Sequence, residues 1–574
     1  MLTHRIAPSH APISRFLPPL FLMLLTIWGV LNITQSFFTE IGNDEAYYWM
    51  YSRALDWGYF DHPPMIALWI WAGSHILKGT LGVRIFTVVA QMITIILIWS
   101  LTGIKSPNHK NIFLFFILTA SVVMFEVYGF IATPDSPLLL FTAVFLIGYQ
   151  RFLNRQDITA VLLLATSMAL LMYSKYHGLL VILLVLLSNP KILRSPRLWL
   201  AILLSIIAYM PHLLWQLDHD FPSIRYHLYA RSRPVHIKHI LNFIPNQLVA
   251  FNPFLLALAG YVLYKFRPVD LFERSLYTLS IGFFGFFFVS TLRGHVEPHW
   301  TIAASIPLVI IISRKSVEQP SLNTYIFRVI GPSILILIFL RLALIFDVLP
   351  LRLQFHGQKA WATALAARAG DLPIVFQNSY QQPSVYSFYT GKPAIALNGI
   401  YYRHTQYDIW SMDENLMGKP ALLITNNKDP GSEALRLPNG KTMYLHPIDH
   451  FFSAQKLFLD YQLEKTAVMQ AGDTMQLKAT LINPYPYTID FNVPYFTIAC
   501  YTMFVKSGND MTVSPATIEP PIDKLLPGQR IPVNIKFEVP DICTRKYKFA
   551  LTLKAGLHQE AFSSGVSPVI VLEK

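Results

Sequence analysis

Six short groups of residues in this chain combine acids, bases and aromatics at spacings that could do chemistry. Asn43-Asp44-Glu45-Ala46-Tyr47-Tyr48 opens an amphipathic stretch with Tyr47, Tyr48 and Tyr51 on one side. A carboxylate here could serve as a general base. The same residues also suit a helix start, with Asn43 or Asp44 as cap and acids favoured by the dipole. Asp44 and Glu45 are consecutive, so on a helix they point about 100° apart and do not converge on one atom. In Asp56-Trp57-Gly58-Tyr59-Phe60-Asp61-His62-Pro63-Pro64 the prolines fix an extended turn. Asp61 and His62 are metal-ligand types, but two neighbours fall short of the three or four ligands a real site needs. Lys175, between Ser174 and Tyr176, suits either a phosphate contact or a lysine snorkelling at an interface. His227 and Arg231 would share a helical face, and Arg233 follows. The arginine fork matches phosphate, and a basic stretch of this kind equally suits lipid headgroups. Asp135 in Thr133-Pro134-Asp135 and the run Glu297-Pro298-His299-Trp300 complete the set, Trp300 also fitting an interfacial anchor. There is no Gly-rich phosphate loop, His-Glu-x-x-His or serine nucleophile elbow, which counts against nucleotide-driven chemistry and zinc proteolysis.

The elements that must position these residues are apolar. Of 574 residues 53% are hydrophobic and 14% charged, and the mean hydropathy is +0.41. Soluble domains carry about 25% charged residues and disordered chains are apolar-poor, so the composition describes a polytopic membrane protein with a water-exposed part. The net charge of +13 does not point to nucleic acid, because Lys and Arg are spread through short loops and form no patch. Eleven apolar stretches are expected to span a bilayer: 16–35, 82–101, 112–130, 136–150, 158–173, 177–189, 198–216, 248–264, 275–292, 301–313 and 325–348. The first is too long, and too plainly followed by others, for a cleaved signal peptide.

With the N-terminus in the cytoplasm, alternate loops carry Lys105 and Lys110, Arg151 and Arg155, Lys191, Arg194 and Arg197, Lys265, Arg267 and Arg274, then Arg314 and Lys315. That bias is the positive-inside pattern, and it places the C-terminal half outside. The candidate chemistry falls in the other set of loops. Charges near a membrane are costly, and charges gathered on one side point to a site there.

Residues 1–350 thus form the membrane domain. Residues 351–450, with short apolar runs and the Ala-rich stretch from Ala360 to Gly370, read as a small α/β unit. Residues 451–574 alternate polar and apolar types between turns such as Asn483-Pro484 and Pro527-Gly528, the pattern of an immunoglobulin-like β-sandwich. Cys500 and Cys543 fall there, either bonded, as an outer location permits, or as two free thiols.

Taken in order, Asp44-Glu45-Ala46-Tyr47-Tyr48-Trp49, Asp56 to Pro64, Thr133-Pro134-Asp135-Ser136-Pro137-Leu138, Ser174-Lys175-Tyr176 and Glu297-Pro298-His299-Trp300 resemble the polytopic GT-C glycosyltransferases that use polyprenyl-phosphate sugars. The resemblance covers residues 15–350 and is nearest the bacterial relatives of dolichyl-phosphate-mannose protein mannosyltransferase and of the lipid A aminoarabinose transferase. It implies a bacterial inner-membrane enzyme with a periplasmic C-terminal region. The donor would be a polyprenyl-phosphate-linked sugar, and the acceptor a glycolipid such as lipid A, or a protein. By the same resemblance Asp44, with Glu45 beside it, is the catalytic acid. Lys175, Arg231, Arg233 and His62 face the donor phosphate. Tyr48, Tyr59, Asp135, Tyr176, Glu297 and His299 line the substrate, and Asp61 with His227 holds a divalent cation. One departure is His62, where the aminoarabinose branch has lysine. The rival class is a lipid or sugar transporter or flippase with an exposed binding domain. It fits less well, because transporters place their charges at the midplane of broken helices.

Overall fold

The structure, a computed structural model, describes residues 17–105, 107–227, 236–348, 353–428, 431–464, 467–493, 497–507, 510–556 and 558–573. The chain divides into two compact units, Met1–His356 and Gly357–Lys574.

The first unit is helical. Pro19–Phe38, Gly79–Thr102, Asp135–Asn154, Pro196–Asp218, Pro298–Glu318 and Pro320–Ile345 are each long and apolar enough to cross a membrane. Ile237–Phe251 and Pro253–Lys265 make a seventh candidate if counted as one span, bent by 101°. The bend sits at Asn252, whose φ of +71° breaks the helix and whose side chain caps Phe254 N–H at 3.0 Å. Each of the eleven expected stretches coincides with helix, and among the described residues six, or seven with the bent pair, are long and apolar enough to cross as single helices. Others are broken or short. The expected 112–130 span is interrupted at Val122, between His109–Ser121 and Val123–Val127. Ile158–Ser174 and His177–Leu187 are short helices separated by an extended Lys175. The side chains agree with a lipid environment: Leu335, Ile336 and Phe339 are more than half exposed on the span Pro320–Ile345, whose charges are Arg328 and Arg341. Inside, Phe21, Trp99 and Phe115 belong to one continuous apolar core.

The helices run back and forth between two ends. One end gathers residues 38–65, 121–135, 174–177, 218–227 and 291–300, and the other gathers 102–109, 154–158, 187–196, 265–271 and 318–320. The described residues of all six groups singled out above belong to the first set.

The second unit begins as α/β. Ala394–Leu397, Ile374–Gln377 and Ala421–Thr425 lie parallel in that order, and Thr442–Ile448 and Glu433–Arg436 extend the sheet antiparallel. The expected sandwich is instead one continuous nine-stranded sheet. Its strands of up to 11 residues coil with the natural twist. The edge strand Phe458–Tyr461 then returns to Ser563 and Ser564, through Leu459 N–H to Ser563 O at 2.6 Å, so both halves close on one core. The α/β part and this sheet form a single unit, tied by Lys456 to Glu414 at 2.9 Å and Ile400 N–H to Glu560 O at 2.8 Å. Both cysteines are free thiols, Cys500 buried and Cys543 exposed.

Candidate active site

The site is built on the first helix after the first span. Asn43–Arg53 starts with Glu45 reaching back to Gly42 N–H at 2.9 Å. Glu45 is buried and its carboxylate is fully committed: Arg84 Nε and Nη2 donate at 2.8 and 2.6 Å, and Ala132 N–H at 2.8 Å. Arg84 spends its remaining donors on the carbonyls of Ser36, Thr39 and Glu40. Glu45 is therefore a structural clasp between three segments and not the catalytic acid expected beside Asp44. Asp44 sits in the same helical turn, rotated out of this clasp, and is exposed.

The Asp56–Pro64 loop is pinned to the Pro196–Asp218 helix. Trp215 Nε1 donates to Asp56 Oδ2 at 2.8 Å, His212 Nδ1 to Trp57 O at 2.7 Å, and Ser223 Oγ to Tyr59 O at 3.0 Å. Gly58 is required by this contact, since a Cβ there would lie 2.4 Å from the Trp215 ring. Tyr59, expected on the substrate, is instead internal. Its ring stacks on Tyr51 at 4.1 Å, and its hydroxyl lies 3.0 and 3.1 Å from the carbonyls of Tyr51 and Ala54. Tyr176 is half-built into the same scaffold: its hydroxyl donates to His212 Nε2 at 3.2 Å and accepts from Gln216 at 2.9 Å.

Asp135 and Lys175 meet as a buried pair, the Nζ 2.8 Å from each carboxylate oxygen. His299 Nε2 approaches Asp135 Oδ2 to 3.9 Å and its ring meets Tyr128 edge-on at 5.9 Å. Tyr128 also lies within electrostatic reach of Asp44, Asp135 and Glu297. His177 lies within reach of Lys175, His62, His227 and His299, packed between Phe287 and Trp300. Tyr48 meets His62 at 5.6 Å. Glu297 is 3.5 Å from His295. The structure thus brings together Asp44, Tyr48, His62, Asp135, Lys175, Tyr176, His227, Glu297 and His299 at one end of the bundle. It adds Arg84, Tyr128, His177 and His212, which motif reading passed over. Arg84 and His212 had a signal, a polar group inside an apolar stretch. Arg231 and Arg233 lie outside the described residues.

Asp61 and His227, the expected metal pair, meet in the structure through the main chain. His227 Nε2 donates to the main-chain carbonyl of Asp61 at 3.2 Å, and the Asp61 carboxylate accepts from Tyr51 at 3.3 Å. Among the described residues no group of three His, Cys, Asp or Glu could hold an ion.

An exposed acid, a buried acid–lysine pair and a ring of histidines at one end of an apolar bundle, followed by a separate α/β and β unit, define a multi-pass membrane protein of the GT-C architecture. Comparison with known proteins agrees. Residues 61–215 match the family model of dolichyl-phosphate-mannose-protein mannosyltransferase. The chain is 26% identical over 216 residues to the lipid A galacturonosyltransferase RgtD of Rhizobium johnstonii, a match covering 36% of this chain and 45% of that protein. ArnT from Cupriavidus metallidurans superposes with a TM-score of 0.55 at 12% identity, covering 74% of this chain and 97% of that one. The same values hold for ArnT bound to undecaprenyl phosphate.

Proposed function

We propose that the protein is a glycosyltransferase that moves a hexosyl or pentosyl group from a polyprenyl-phosphate donor to an envelope acceptor, a glycolipid of the lipid A kind or a protein. The observation that carries this reading is the exposed Asp44 beside the Asp135–Lys175 pair and the surrounding histidines. What the similar proteins are named for, lipid A transfer and binding of undecaprenyl phosphate, supports the donor and acceptor classes. The reaction would take place at the outer face of the inner membrane, with the N-terminus cytoplasmic and the second unit periplasmic. The alternating basic loops support that orientation.

The energy for transfer is stored in the glycosyl phosphate itself. Attack at the anomeric carbon passes through an oxocarbenium-like state, and a single displacement inverts the centre. Lys175, oriented by Asp135, and His62 and His299 stabilise the phosphate as it leaves. Arg231 and Arg233 remain candidates for the same phosphate on sequence grounds. With a hydroxyl acceptor, Asp44 takes the proton. With a phosphate acceptor no base is needed, and Asp44 positions it.

The test compares envelope glycolipids and glycoproteins from cells carrying wild-type or Asp44→Asn protein by mass spectrometry. Loss of one sugar-sized mass from one class of molecule is expected. An Asp44→Asn protein present at normal level with full transfer would sink the assignment.

A further inference from the structure

The last membrane helix carries two charges, an exposed Arg328 and a mostly buried Arg341, and Arg341 is directed at the site wall. Arg341 Nη1 is 3.0 Å from Glu126 Oε2, and Nη2 donates to Asn32 Oδ1. The guanidinium lies 5.0 Å over the Phe130 ring. Both partners are mostly buried, with side chains 16% and 11% exposed. Gln35 donates to the Arg341 carbonyl at 3.1 Å, and Gln91 joins Asn32, Trp28 and the Phe125 carbonyl. Glu126 stands two residues before Tyr128 and six before Ala132, whose N–H feeds Glu45. Past the same helix, Gln354 Oε1 accepts from Asn43 N–H at 3.2 Å, and Phe355 packs on Phe130 and Ile131. Arg341 on this helix grips the wall holding Tyr128 and Asp135, and Gln354, nine residues past the helix end, grips the turn holding Asp44.

We infer that Arg341, through Glu126, is a positioning residue: it sets the Tyr128–Asp135 wall against Asp44, an inference that rests on the transfer reading above. A buried charge inside an apolar helix is costly to keep, and here its two terminal nitrogens reach groups that lead to the site. The alternative is a pair that serves stability alone. The molecule supplies the control. Arg314 pairs with Glu273 at 3.1 Å with side chains 17% and 12% exposed, and it also donates to main-chain carbonyls, those of Leu101 and Thr102, but at the opposite end of the bundle.

The experiment uses full-length protein in detergent, with membrane extract supplying donor and acceptor and released polyprenyl phosphate counted by mass spectrometry. Arg341→Met is expected to lower kcat about 10–100-fold, the scale of an ångström's misplacement, while half-saturation by extract moves less than about threefold. Arg314→Met is expected to lower the melting temperature similarly and leave kcat within about twofold. Arg341→Lys, which keeps the charge, should recover most of the rate. If Arg341→Met proves too unstable to purify, Glu126→Gln carries the same comparison. Equal kcat for the two methionine variants, or for Glu126→Gln and wild type, overturns the inference and leaves the transfer reading standing. Wild-type protein that releases no polyprenyl phosphate overturns the transfer reading itself.

Discussion

The two ends of the membrane unit use the same residue types to different effect. At the far end every described charge pair is self-contained. Arg314 is shared among Glu273 and two carbonyls, Lys315 meets Glu318 at 2.6 Å, and Arg151 meets Asp157 at 3.8 Å on the surface. At the site end two pairs are deeper, Arg84 with Glu45 and Lys175 with Asp135, their side chains 5% exposed or less, and each fixes a neighbour in the site. Glu45 fixes the turn that presents Asp44, and Asp135 fixes the lysine beside His299. An ion pair does not by itself mark a site. What marks this one is a closed pair holding an exposed group in place.

That contrast is sharpest in the neighbouring acids. Asp44→Asn is expected to cut transfer by about 10²–10⁴-fold with the melting temperature unchanged, measured as turnover and thermal unfolding of the same preparation. Glu45→Gln should do the reverse in order. It strands the buried Arg84, costs roughly 3–5 kcal/mol of stability, and lowers the yield of folded protein before any kinetic effect is read. A Glu45→Gln protein that melts like wild type would remove the distinction between the two residues.

Histidine extends the comparison to the second unit. His558 is enclosed there, its Nε2 donating to Phe452 O at 2.9 Å, and burial lowers its pKa to about 4. The unfolded chain binds that proton near pH 6.5, so stability is fully present above that value and is lost as pH falls towards 4. The loss is roughly 3 kcal/mol, read as the unfolding midpoint against pH. His558→Gln should flatten that dependence without touching transfer.

The smallest effect belongs to the far end. Arg151→Ala removes a pair with both side chains nearly half exposed, and stability should move by about 0.5 kcal/mol or less in chemical denaturation. A larger loss would mean that this end is less passive than its geometry implies.

Much of the site was legible because its residues break the pattern around them. Asp44, Asp61, Lys175 and His299 stand out as polar residues beside apolar stretches, and their common side follows from counting apolar stretches. The internal breaks of those stretches were not legible. A hydropathy run does not show the extended residue between two short helices at Lys175, nor the bend at Asn252. Nor could spacing separate Glu45 from Asp44, because the Arg84 that claims Glu45 is 39 residues away. Tyr59 was expected to line the substrate, and its burial against Tyr51 was not legible, because that contact is made only once the loop has turned back.

The sequence by itself determined the membrane class, the division near residue 350, the one-sided gathering of acids and bases, and the β-rich character of the end. These depend on composition and period, which each segment carries locally. Only the tertiary structure decided which acid is exposed and which is clasped, that Lys175 belongs to Asp135, that His227 reaches a carbonyl of Asp61, and that the last sheet is continuous. Each of those is a contact between residues far apart in the chain, set by how the helices pack and how the strands coil.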